Sequence, residues 1–74
     1  MNPPTKLTTH YFTFGQTHVH SVNGKTFDKD CVVKVTADSP RDIMFITFGR
    51  KWSMEYDSIE QVGIEFYPRG VIEL

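Results

Sequence analysis

The chain has 74 residues, 8 Lys+Arg against 9 Asp+Glu, one cysteine and a 14% aromatic fraction. A lone cysteine excludes an internal disulfide framework, and balanced charge gives no general attraction for nucleic acid or an anionic membrane. No apolar run is long enough to span a bilayer, and the polar first nine residues lack the apolar stretch of a signal peptide.

These limits predict one folded domain in a reducing compartment. A core of this size rarely supplies more than ~3–5 kcal/mol, so dense aromatic packing or oligomerisation is expected to support it. Residues 1–9, with Pro3 and Pro4 in tandem, read as a flexible lead-in to a single domain over residues 10–74.

Residues 10–14 are aromatic and β-prone and stop at Gly15, which predicts a first strand with Phe12 and Phe14 on one face. Residues 16–30 read as a protruding hairpin-like loop. Asn23-Gly24 is its turn signal, because a type I′ turn needs positive φ at both central residues. Residues 31–36 are the clearest strand, with Cys31, Val33 and Val35 sharing a face.

Ser39 as N-cap, Pro40 at the first helical position and Gly49 as the stop predict a short helix over residues 40–48. The alternative reading of residues 43–48 is a buried strand. On the helix, Met44, Phe45 and Phe48 form one apolar patch, and Ile43 and Ile46 form another. A helix on a sheet buries one stripe, so the second patch calls for the C-terminal segment or a second subunit.

Residues 52–56 alternate, with Trp52, Met54 and Tyr56 expected on one face of a strand. Ser58 opens a loose capping box for one helical turn ending near Gly63. Residues 63–67 and 71–74 read as short strands around the Pro68-Arg69-Gly70 turn. The expected fold is therefore α+β: a small, mostly antiparallel β-sheet with one short α-helix packed on one face.

His18 and His20 stand two residues apart, the spacing that aims two side chains the same way in an extended chain. Such a pair suits a phosphate, a proton transfer or a metal. No CxxC or HExxH pattern accompanies it, so no metal and no cofactor are expected. Cys31 lies on the Val33/Val35 face and reads as a small buried hydrophobe rather than a nucleophile. Arg50 and Lys51 complement the C-terminal end of the helix dipole. With Trp52 beside them they also suit a nucleotide, cation to phosphate and ring to base. Lys25 and Arg69 add charge if their loops converge. No phosphate loop or nucleophilic triad is present, and no enzymatic activity is expected.

The run Tyr11-Phe12-Thr13-Phe14-Gly15, His18, Val32-Val33 and the spacing Arg41…Met44-Phe45…Phe48-Gly49…Trp52 resemble a family of small uncharacterised phage proteins. Its pattern opens Tyr-Phe-Thr-Phe-Gly and continues Ala-Arg-x-x-Met-Phe-x-x-Phe-Gly-x-x-Trp. The likeness covers residues 10–56, with Pro40-Arg41 standing where the pattern has Ala-Arg. It implies a phage origin, action in the host cell cytoplasm, and the helical reading of residues 40–48.

A small phage protein without catalysis is expected to be either an accessory factor or an antagonist of host antiviral defence. The first expectation is a homo-oligomeric binding module that sequesters a nucleotide-type signal through His18, His20, Lys25, Arg41, Arg50 and Trp52. The second is an inhibitor of a host defence protein, of anti-CRISPR or anti-restriction type, acting through Phe45, Ile46 and Tyr67 with acidic Glu60 and Glu65. A modulator that touches nucleic acid is disfavoured by the near-neutral charge.

Overall fold

The computed structural model describes residues 7–74. Along the chain run β1 (Thr8–Thr13), β2 (His20–Val22), β3 (Lys25–Phe27), β4 (Cys31–Ala37), α1 (Pro40–Phe48), β5 (Glu55–Tyr56), α2 (Ile59–Val62), a 3-10 turn (Ile64–Phe66) and β6 (Gly70–Glu73). The fold is α+β. One sheet has four strands in the order β5-β1-β4-β6, and β2 and β3 form a separate hairpin. No helix is long and apolar enough to cross a membrane among the described residues.

β1 and β4 pair antiparallel with Phe12 opposite Val33 and His10 opposite Val35. Directly opposed residues share a face, so this register gathers His10, Phe12, Val33 and Val35 on one side of the sheet. α1 covers that side. Pro40, Met44 and Phe48 are spaced one turn apart and buried. Phe12, Phe14, Phe27, Cys31, Val33, Val35, Met44 and Phe48 form a single core, with Ile43, Trp52 and Ile72 packed at its margin. Ile43 thus finds its cover within the chain, whereas Ile46 does not.

The cap residues act through the backbone. The Ser39 hydroxyl makes no cap bond, although the Ser39 carbonyl accepts from the Asp42 and Ile43 amides. Pro40 begins the helix with a φ already suited to it. Gly49 ends it at φ 67°, a left-handed value that glycine tolerates, and its N–H donates to the Phe45 carbonyl at 2.9 Å. In the hairpin, Asn23 and Gly24 take φ 52° and 78°, as a type I′ turn demands.

Two crossings complete the topology. α1 carries the chain from β4 past β1 to β5, and residues 57–69 carry it back past β1 and β4 to β6. β4, β5 and β6 are mutually parallel, β5 through its antiparallel pairing to β1. Right-handed crossovers running in opposite directions must lie on opposite faces. A right-handed return would cross the face away from α1. Val32, Thr13 and Val62 are buried yet stand outside the main core, which fits that placement.

Several boundaries differ from expectation. Strand β1 begins at Thr8, opposite Ala37, so two residues of the expected lead-in already belong to the sheet; residues 1–6 of that lead-in lie outside the described residues. β6 joins β4 in parallel, which makes the sheet mixed. The strand expected over residues 52–56 shortens to Glu55–Tyr56. Ser53 and Met54 share the one partner Thr13: Ser53 N–H donates to its carbonyl at 2.8 Å, and its N–H donates to Met54 O at 3.1 Å. Two residues against one is a β-bulge, and the extra residue reverses the alternation. Trp52 accordingly packs on Phe12 at 5.1 Å, while Tyr56 pairs with Tyr11 on the other face. Residues 63–67 form no strand; Gly63, at φ 74° and ψ 60°, turns the chain into the 3-10 turn.

Candidate functional site

The sequence-derived residues divide between the two ends of α1. Near its C-terminal end lie His20, Arg50, Lys51 and Trp52. His20 starts β2, and its Nε2 lies 2.8 Å from the Lys51 carbonyl. A carbonyl only accepts, so Nε2 carries the proton. The ring also packs on Phe48 at 4.9 Å and Phe14 at 5.5 Å. His20 thus ties the hairpin to the loop after α1. The Trp52 indole N–H donates to Gly49 O at 3.1 Å, and its ring meets Phe45 at 5.8 Å. Arg50 and Lys51 project from this loop and are exposed, and among the described residues no ion pair engages them or Lys25.

His18 does not join His20. It precedes β2, and its Nδ1 accepts from the Gly15 N–H at 2.9 Å, while its own backbone N–H returns to Gly15 O at 3.1 Å. The ring closes a turn over Gly15, where an added Cβ would stand 3.4 Å from it. The two histidines hold different segments, so the shared direction expected of them is lost. His18 lies outside strand geometry, and alternation does not apply to it.

Arg41 stands at the opposite end of α1, roughly 13 Å from Arg50 along the helix axis at 1.5 Å per residue. Its guanidinium is already engaged: Nη2 and Nε donate to Glu55 Oε1 at 2.6 and 3.2 Å. The other carboxylate oxygen lies 2.6 Å from His10 Nδ1, and His10 Nε2 is 3.6 Å from Asp57 Oδ1. This cluster joins β1, β5 and the first turn of α1. Burial by itself would raise the Glu55 carboxyl. The hydrogen bonds from His10 and Arg41, with their positive charge, outweigh it and hold the group below its ordinary value.

Sequence reasoning missed this cluster, because His10 and Glu55 are 45 positions apart. The one local signal was the place of His10 in the alternation of β1, on the face of Phe12. Both His10 nitrogens face carboxylates, so the ring has no free nitrogen aimed at a substrate.

Arg69 likewise serves the fold. It pairs with Asp28 at 3.3 Å and donates its backbone N–H to Asp30 O at 2.9 Å, pinning the turn before β6 to the turn before β4. Cys31 is buried in that corner, its thiol bonded to the Asp28 backbone at 3.4 Å. Desolvation, helped by the nearby Asp28 and Asp30 charges, pushes its pKa up, which keeps it a protonated, unreactive thiol. Among the described residues there is no group of three or more His, Cys, Asp or Glu that could hold a metal. One chain forms no pocket among them either.

The residues expected at a protein interface are more open. Ile46 is 81% exposed and Phe45 43%. Tyr67 is half-buried, while Glu60 and Glu65 face solvent. Phe66, which the sequence reading placed inside a strand, is 78% exposed on the 3-10 turn. Comparison with protein-family models, with curated proteins and with solved structures finds no match to this chain.

Proposed function

We propose that this protein is a non-catalytic binding module that engages a host defence protein through the outward side of α1 and the loop that follows it. The observation that carries this reading is Ile46, 81% exposed beside Phe45, on a helix whose other side fills the core. An exposed apolar pair of this kind, rimmed by charged side chains, is the usual mark of a protein contact. The non-catalytic part rests on the engagement of His10, His18, His20 and Cys31 in bonds that hold the fold. The likeness of residues 10–56 to small phage proteins directs the search for the partner to host defence complexes.

Sequestration of a nucleotide-type signal is the second reading. Arg50 and Lys51, exposed in the same loop as Trp52 and in no ion pair among the described residues, favour it. A ligand there would need a second chain to enclose it.

One experiment separates the two. Wild-type protein and Ile46→Asp are each used to capture partners from host lysate, and calorimetry is run in parallel against a panel of cyclic nucleotides. The expected result is a stoichiometric host protein held by the wild type and lost with Ile46→Asp, without nucleotide heat. Saturable nucleotide binding that survives Ile46→Asp, with no protein partner, would overturn the first reading.

A further inference from the structure

A second exposed apolar group sits on the return crossing. It lies on residues 59–66, where Ile64 and Phe66 are exposed in the same segment as the exposed Glu60 and Glu65. The Phe66 ring and the Glu65 carboxylate both lie over Gly63: a Cβ there would meet the ring at 3.2 Å and a carboxylate oxygen at 4.0 Å. Neither Glu60 nor Glu65 takes part in an ion pair among the described residues. The α1 surface has the opposite rim. Phe45 and Ile46 are followed there by Arg50 and Lys51, with Asp42 one turn back.

The geometry points to head-to-tail self-association: the 59–66 segment of one copy docks on the α1 surface of a second copy. Charge decides this arrangement against a symmetric one. Pairing the 59–66 surface with itself sets Glu60 and Glu65 against their own kind, and pairing the α1 surface with itself leaves two cations to the single carboxylate of Asp42; both are less favourable than the mixed contact. Pairing one with the other places Glu60 and Glu65 against Arg50 and Lys51, while Phe66 and Ile64 cover Phe45 and Ile46.

The two surfaces are distinct segments of one chain, so each copy offers one of each kind. Such a contact continues from copy to copy unless its rotation closes a ring. The inference uses the same α1 surface as the proposed function, so self-association and partner binding compete for it. Purified protein alone tests it, and the outcome does not depend on any host partner.

Sedimentation velocity over a concentration series measures it. The wild type is expected to exceed the 8.6 kDa mass of one chain, and the excess to shrink at high salt as the charge contacts are screened. Ile46→Asp and Phe66→Asp each spoil one surface and leave the other intact. Each alone should remain monomeric with an unchanged circular dichroism spectrum. Mixed, they retain one good contact between them and should form a species of twice the 8.6 kDa chain mass and nothing larger. A wild type that stays monomeric at every concentration would overturn the inference. So would either single variant that still self-associates, since that requires a symmetric contact, or a mixture that stays monomeric while the wild type assembles.

Discussion

α1 and the 59–66 segment cross the same sheet in opposite directions, yet they hold to it very differently. α1 runs nine residues and seats Pro40, Met44 and Phe48 in the core, one per turn. The return crossing has a four-residue helix that buries only Val62, then a 3-10 turn that buries nothing. Length explains much of the contrast. A helix of two and a half turns presents a stripe that a sheet can bury, whereas a single turn has no stripe and is unstable by itself. The face beneath α1 therefore carries most of the packing, while Thr13, Val32 and Val62 are buried outside that core among the described residues.

The contrast predicts an order of effects. Phe12→Ala removes a fully buried ring that touches Trp52, and should cost about 3–5 kcal/mol. That is close to the whole stability expected of a domain this small, so the variant should be largely unfolded at room temperature by circular dichroism. Val62→Ala should cost only about 1–2 kcal/mol, from roughly 0.8 kcal/mol per buried methylene group. The chain should stay folded, with faster amide exchange confined to residues 59–66. Equal losses from the two variants, read from urea midpoints, would break the comparison and make the two faces energetically equivalent.

The smallest effect belongs to the cluster at the sheet edge. Glu55→Gln should cost about 1 kcal/mol or less, as partly exposed ion pairs do. Its pH dependence is the sharper test. The native Glu55 carboxyl is held below its ordinary value of 4.5. The ionised group therefore stabilises the fold in full above that value, and the contribution fades as pH falls through the native pKa. Wild type and variant should differ at neutral pH and converge in acid. A difference that persists at low pH would mean that the variant acts through packing at β5 instead of charge.

The local punctuation was legible in the sequence. Asn23-Gly24, Ser39-Pro40 and Gly49 each act through a backbone conformation that few neighbours can alter, and each stands where it was expected. Phe12, Met44, Phe48 and Trp52 pack together, His18 closes the turn over Gly15, and Arg41 binds Glu55. Those residues build the fold first of all. The candidate surface was only half legible: Ile46 stood out as an apolar residue that one stripe would leave over, while Phe66 was hidden by a strand reading of residues 63–67 that Gly63 defeats.

By itself the sequence determined the ends of α1 and the turn of the hairpin, because these depend on glycine and proline dihedrals within a few residues. It did not determine the whole core, since Phe27, in the stretch read as a protruding loop, is fully buried against Phe14 and Phe48. The tertiary structure decided the rest. The bulge at Ser53 and Met54 reversed an alternation, because only the partner strand shows two residues facing one. The parallel entry of β6 came from the return crossing, which no local pattern encodes. His10, Arg41 and Glu55 meet because three separate elements converge at one sheet edge. The fold also leaves the apolar residues Phe45 and Ile46 of α1 and Ile64 and Phe66 of the return crossing exposed, which no stretch of the 74 residues shows until it is folded.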